Sequence, residues 1–303
     1  MANDFSFDAL VPPEMATKAE TVGVRKAHLH WPVMFMLSVL AGAFIGLGAM
    51  FSTTVMAGGS DVPYGIIRLL AGFVFSLGLI LVVVGGAELF TGNNLIVMAW
   101  ADHKVSTWLL VKNWVIVYLG NFAGAIATAV LVFVSGQYMF GKTSIGATAL
   151  ATAAAKTSLD FLPAIVLGML CNVLVCLAVW MSFSARSTTD RILAIVPPIA
   201  AFVAAGFEHS IANMYFIPMG LLIKGFAPAS FWAVLGKVPA DYPTITWERF
   251  FVGNLLPVTI GNIIGGAIMV GAVYWFVYLR AAHMAAPAAP TTPKPEAAPR
   301  PAR

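Results

Sequence analysis

Six apolar runs without a charged residue recur along the chain, at residues 31–56, 69–87, 113–141, 161–185, 192–207 and 250–279. A helix that crosses a bilayer needs about 20 such residues, so the pattern predicts six spans. The second and fifth are irregular. Residues 192–207 are followed, after Glu208-His209, by another uncharged run at 210–223, and each half is too short to cross alone. Joined as one straight helix they would reach about 48 Å, against a hydrocarbon core of about 30 Å. The second run is cut by Glu88; polar Thr91, Asn93 and Asn94 follow before apolar residues resume up to Ala101. Both spans are therefore expected to be broken helices. Non-helical backbone at membrane depth persists only where protein buries it or a wet path runs along it, because lipid satisfies no amide.

The pattern also repeats. NWVIVYLGNFAGA (113–125) aligns with NLLPVTIGNIIGG (254–266), and ELFTGN (88–93) with EHSIAN (208–213). The repeating unit is three spans long, and an odd number of spans inserts the second copy upside down. Paired interrupted helices in such repeats place a site near the midplane. The expected fold is an all-α membrane protein: six transmembrane helices in two inverted three-helix repeats, with helices 2 and 5 broken. Recurrence of Gly-Asn-x-x-Gly merely as helix-packing glycine is the plainer alternative.

Composition agrees with the bilayer reading: 60% of residues are hydrophobic, 10% are charged and the mean hydropathy is +0.88, where soluble domains carry about 25% charge. The formal charge of +4 does not mark a nucleic-acid binder, since the basic residues are scattered and form no run with interleaved aromatics. They report topology instead. With the N-terminus inside, the inner connections hold eleven Lys and Arg and the outer ones six, which predicts both ends in the cytoplasm. Residues 1–30 lack the apolar core of a cleavable signal and form an N-terminal segment. Within it, Pro12-Pro13-Glu14 starts a short helix that lies on the membrane or plugs the inner mouth. Residues 31–280 form the six-span domain, and the Ala/Pro-rich residues 281–303 are expected to be a disordered tail.

Ionisable groups at membrane depth cost several kcal/mol and mark function by default, which singles out Glu208 and His209. A polar pair that merely stitches a helix break is the competing role for Glu208. Thr91 and Asn213 sit at the breaks, where they cap freed backbone or face a permeant. Half-helices whose N-termini point inward favour anions. No metal or cofactor is expected: His28, His30, His103 and His283 all lie in flanks or tail, leaving no second buried histidine for haem or zinc. Cys171 and Cys176 point apart on one helix and predict neither a disulfide nor a metal site. An acid next to His209 in sequence points about 100° away from it, so no hydrolytic triad forms there and no enzyme activity is expected. Aromatic and aliphatic residues near the breaks read as core on periodicity alone.

The segments GAELFTGN (86–93), GNFAGA (120–125), GFEHSIANMYFIPMG (206–220) and NLLPVTIGNIIGG (254–266), with FDALVPPEMA (7–16), resemble the formate/nitrite transporter family and within it the formate channels. The resemblance implies an aquaporin-like fold, a homopentamer with one pore per protomer, a bacterial inner-membrane location and passage of formate or a similar small anion. It makes Phe75 and Phe202 the outer constriction and Leu79, Leu89, Phe90 and Val175 the inner slit. Thr91 and His209 become the central polar pair, Lys156 the basic residue of the outer vestibule, and Asn172 and Asn262 polar pore-facing positions. Thr91-Gly92-Asn93 departs from the family's usual Thr-Ser-Thr, and a looser loop is expected there.

Moving a bare anion to the midplane costs about 2.5–3.5 kcal/mol on insertion scales. Protonating a carboxylate of pKa roughly 4 at pH 7 costs about 4 kcal/mol. Both routes are open, and His209 with Thr91 is expected to bind the carboxylate and relay a proton to it, with formate uptake coupled to a proton at low pH. Nitrite and hydrosulfide are alternative permeants. A neutral-solute facilitator is a weaker reading because the chain has no Asn-Pro-Ala motif.

Overall fold

The computed structural model describes residues 9–59 and 61–280. All regular structure among them is helical. Helix α1 spans Pro12–Ala27, with Pro at its start and Glu14 accepting from the Val11 N–H, the first-turn arrangement expected from the sequence. It is followed by α2 (Trp31–Met56) and α3 (Tyr64–Gly85). After a non-helical stretch, α4 (Phe90–Asn93) leads through a tight turn into α5 (Val97–Ala101). Then come α6 (Thr107–Val134), α7 (Ser144–Thr157), α8 (Phe161–Ser184), α9 (Thr188–Ala204) and α10 (Ser210–Phe226). The chain closes with α11 (Ala229–Leu235) and α12 (Arg249–Leu279), the latter wound partly in wide π-type turns.

Helices α2, α3, α6, α8 and α12 are each long and apolar enough to cross a membrane. A sixth crossing is reached when α10 and α11, bent by 107° at Ala227-Pro228, count as one span. Both expected interruptions are present. The α3 helix ends at Gly85 and helix resumes at Phe90, while α9 ends at Ala204 and α10 starts at Ser210. Each break opens with a glycine at positive φ, Gly86 at 81° and Gly206 at 76°, a conformation that a Cβ would strain. The tail predicted at residues 281–303 lies outside the described residues.

Close backbone approach holds the bundle together. A Cβ on Gly42 or Gly124 would collide with the backbone of Asn121 or Val39, so α2 and α6 pack glycine to backbone; Gly261 and Gly265 do the same for α12 against α8. Between lipid-solvated helices such contact replaces the hydrophobic drive available in water. Helix α1 lies against α5 and the α12 end, where its buried Met15, Ala16 and Ala19 join Met98, Trp180 and Leu279 in one cluster. Its Lys18, Ala19, Val22 and Lys26 also line a cavity at that end of the bundle.

Candidate anion pathway

Two sets of polar contacts hold the breaks, and most of their bonds have a counterpart in the other set. Glu88 N–H donates to the Leu37 carbonyl at 3.2 Å, and Glu208 N–H to that of Leu167 at 3.3 Å. Asn121 accepts from Phe90 N–H at 2.9 Å and donates to the carbonyls of Ser38 and Glu88; Asn262 accepts from Ser210 N–H at 2.9 Å and donates to those of Gly168 and Glu208. Asn93 donates to Glu88 and Asn113, as Asn213 does to Glu208 and Asn254. Lys26 pairs with Glu88 at 3.0 Å and Lys156 with Glu208 at 2.8 Å. Amides exposed by the breaks thus find buried partners, as membrane depth requires.

The two lysines differ in how far they are committed. The Lys26 ammonium reaches both Glu88 oxygens and Asn93 Oδ1, all at 3.0 Å. Lys156 reaches a single Glu208 oxygen and lies over the Phe216 ring at 5.4 Å, while Asn213 Oδ1 has no hydrogen-bond partner. Lys156 therefore retains donors for an anion in the cavity it lines, whereas Lys26 is saturated.

That cavity, of about 460 Å³, is lined by Arg68, Phe75, Lys156, Phe202, Glu208 and His209 among others. A second one, of about 260 Å³, opens at the other end of α3 against α1 and is lined by Lys18, Arg25, Lys26, Leu79, Leu89 and Arg191. Of the apolar residues expected to line constrictions, Phe75 and Phe202 line the first cavity and Leu79 and Leu89 the second. Phe75 meets Phe202 edge to face at 5.7 Å, and Phe75, Leu79, Leu89, Phe90, Val175 and Phe202 are only 1–3% exposed.

Thr91 and His209 meet in the buried interior, Oγ1 to Nε2 at 3.0 Å. His209 Nδ1 accepts the Ala212 N–H at 3.1 Å and so caps the start of α10. An accepting Nδ1 places the ring proton on Nε2, from which it is donated to Thr91 Oγ1. A second proton, on Nδ1, would face the Ala212 N–H donor to donor, and the cap would open. The Phe202 ring stacks on the imidazole at 5.8 Å. Thr91 is wholly buried and its carbonyl accepts from Asn172 and from the Cys176 thiol.

Of the residues singled out from the sequence, Phe75, Lys156, Phe202, Glu208 and His209 share one cavity, Leu79 and Leu89 the other, and Thr91, Phe90 and Val175 are buried and line neither. Asn213 and Asn262 spend their donors on bracing a break, and Asn172 donates to Thr91, Asn94 and Asn262 while its Oδ1 has no partner. Nor is the loop after Thr91 loose, because Asn93 is held by Glu88, Asn113 and Lys26. Lys26, Asn113, Asn121 and Asn254 were not singled out as site residues. The signal for the three asparagines was the repeated Asn and Gly-Asn spacing, which marks helix packing and bracing alike.

The family model described as Formate/nitrite transporter matches residues 13–276. The chain is 47% identical over 280 residues to the formate channel FocA of Escherichia coli K12, covering 92% of this chain and 98% of that one. It is 43% identical over 263 residues to the FocA of Haemophilus influenzae, covering 87% and 93%. A solved pentameric formate channel with formate bound superposes with a TM-score of 0.79 at 48% identity, covering 82% of this chain and 98% of that one.

Proposed function

Since the chain belongs to the formate/nitrite transporter family, we propose that it is a passive formate channel of the bacterial inner membrane, pentameric, with both ends in the cytoplasm. The pentamer and the permeant come from the relatives' own descriptions, and the orientation from the Lys and Arg count. The contact that carries the reading is Thr91–His209, a buried hydrogen-bonding pair among buried apolar side chains, and the proposal puts an apolar ring on either side of it. A site of that kind suits a small carboxylate that sheds its water at one ring, takes hydrogen bonds at the pair and regains water beyond the other.

The matched bracing contacts support two inverted three-helix halves, with the pair near the axis between them. Lys156 draws the anion into the outer vestibule through its uncommitted donors. Thr91 and His209 Nε2–H then bind the carboxylate; under acid conditions Nδ1 takes up a proton from the outer cavity, releasing the Ala212 cap, and Nε2 gives its proton to the carboxylate, so that the neutral acid is taken up and His209 is left neutral. Formate flux into proteoliposomes, with nitrite and hydrosulfide as competitors, tests the assignment. Saturable formate flux with weaker competition by both is expected; preferential nitrite or hydrosulfide flux overturns the choice of formate.

A further inference from the structure

The α3–α9 seam carries a residue that the pathway above leaves unused. The helices run antiparallel in strict register: Ser76 Oγ lies 3.5 Å from the Val196 carbonyl, and a Cβ on Gly72 would fall 2.5 Å from that of Ala200. One turn earlier on α3, the Arg68 guanidinium donates through Nη2 to the Val203 carbonyl and through Nε to that of Ala204. Its Nη1 reaches Met56 Sδ at the end of α2, at 3.8 Å. These are the last carbonyls of α9, at the lip of the break. Ala201, Phe202 and Val203 also accept from the backbone N–H groups of Ala205, Phe207 and Gly206, and Ala204 takes Arg68.

Phe75 stands two turns beyond Arg68 on α3, on the same helix face. Phe202 stands immediately before the clamped carbonyls. The two rings that close the constriction are thus carried by two helices whose spacing Arg68 fixes at the cavity end. Phe202 also stacks on His209, so the clamp reaches the polar pair through one ring.

We propose that Arg68 is a positioning residue for the outer constriction: its clamp on Val203 and Ala204 sets the aperture between Phe75 and Phe202, and with it the size limit on the permeating carboxylate. The proposal rests on the anion-channel reading. A planar guanidinium holds two adjacent carbonyls in a fixed fork, whereas an ammonium is a single point on a flexible stem and sets their spacing less rigidly. Loss of the clamp frees the α9 end to move away from α3, and larger monocarboxylates then pass.

The test compares proteoliposome fluxes of formate and lactate for wild type, Arg68→Gln, Arg68→Lys, Phe202→Ala and the double variant Arg68→Gln/Phe202→Ala, each checked for oligomer by size exclusion. The lactate-to-formate ratio is expected to rise about tenfold in Arg68→Gln and by a smaller factor in Arg68→Lys, and to be the same in the double variant as in Phe202→Ala. A ratio unchanged in Arg68→Gln overturns the proposal, as does a charge-only pattern in which Arg68→Lys matches wild type while Arg68→Gln slows both anions equally. Failure of both Arg68 variants to assemble overturns it too, by making the clamp a folding element. Absence of formate flux in wild type would instead sink the channel reading.

Discussion

Lys156 and Glu208 form an ion pair whose side chains are 15% and 6% exposed, with Asn213 and Asn254 on the second carboxylate oxygen. Removing the cation leaves a buried carboxylate with amides alone, a loss of about 3–5 kcal/mol for a broken buried pair. Lys156→Met is therefore expected to lower the thermal unfolding midpoint of the detergent-solubilised oligomer markedly. Glu208→Gln should cost far less, since the amide oxygen still accepts from Asn213 and the lysine turns into its cavity. Equal losses in the two variants would show that the pair does not act as a unit. Glu208 and His209 were legible in the sequence because ionisable residues stand out inside an apolar run. Lys26 and Arg68 were not, because a basic residue at the end of a span reads as a topology signal; only the fold brings Lys26 onto Glu88 and Arg68 onto Val203.

Helices in this bundle meet through glycine, and the cost of a methyl group depends on what it meets. At Gly261 a Cβ would overlap the Ile165 carbonyl, part of a backbone with no freedom to turn aside, whereas at Gly92 it would rest 3.5 Å from a Val179 methyl. Gly261→Ala is expected to destabilise by about 1–3 kcal/mol. Gly92→Ala should be neutral or stabilising, alanine exceeding glycine in helix propensity by about 1 kcal/mol. Thermal unfolding of both decides it, and a tolerated Gly261→Ala would count against the close crossing of α8 and α12. Span positions were legible from hydropathy, while their starts were displaced: α6 begins at Thr107 with Lys112 inside it, and α9 at Thr188, its Ser187 cap bonded to Asp190. Charges in a helix's first turns lie outside the hydrocarbon, so an uncharged run marks the span and not the helix.

The docking of α1 carries a pH dependence of its own. Glu20 is 4% exposed, and burial followed by the neighbouring Asp102 carboxyl raises its pKa, against the pull of Lys104 at 2.7 Å. A carboxyl raised on docking contributes stability that is fully present below its ordinary value and lost as pH rises through the raised one. Helix α1 should dock more firmly as pH falls into the carboxylate range. Hydrogen exchange of α1 amides across that range measures this: protection rising toward acid is expected in wild type, with a flatter profile in Glu20→Gln. Protection falling toward acid contradicts the sign.

For the whole molecule, large apolar side chains such as Phe73, Leu131, Val134 and Trp108 are 60–75% exposed on the isolated protomer, a surface suited to lipid and to neighbouring protomers and not to water. Inside it lie two cavities and the buried Thr91–His209 pair, which the proposal makes the two vestibules and the central site of one path. The architecture follows from hydropathy and repeat spacing; the permeant follows from family likeness, because ring size and a polar pair do not by themselves separate formate from nitrite. The most direct measurement is formate influx into proteoliposomes as a function of pH, for wild type and His209→Asn, in which asparagine keeps the cap on α10 but has no proton to relay. Acid-stimulated influx is expected in wild type and absent in His209→Asn, with formate efflux at neutral pH retained by both. The same acid stimulation in the variant would contradict proton transfer through His209.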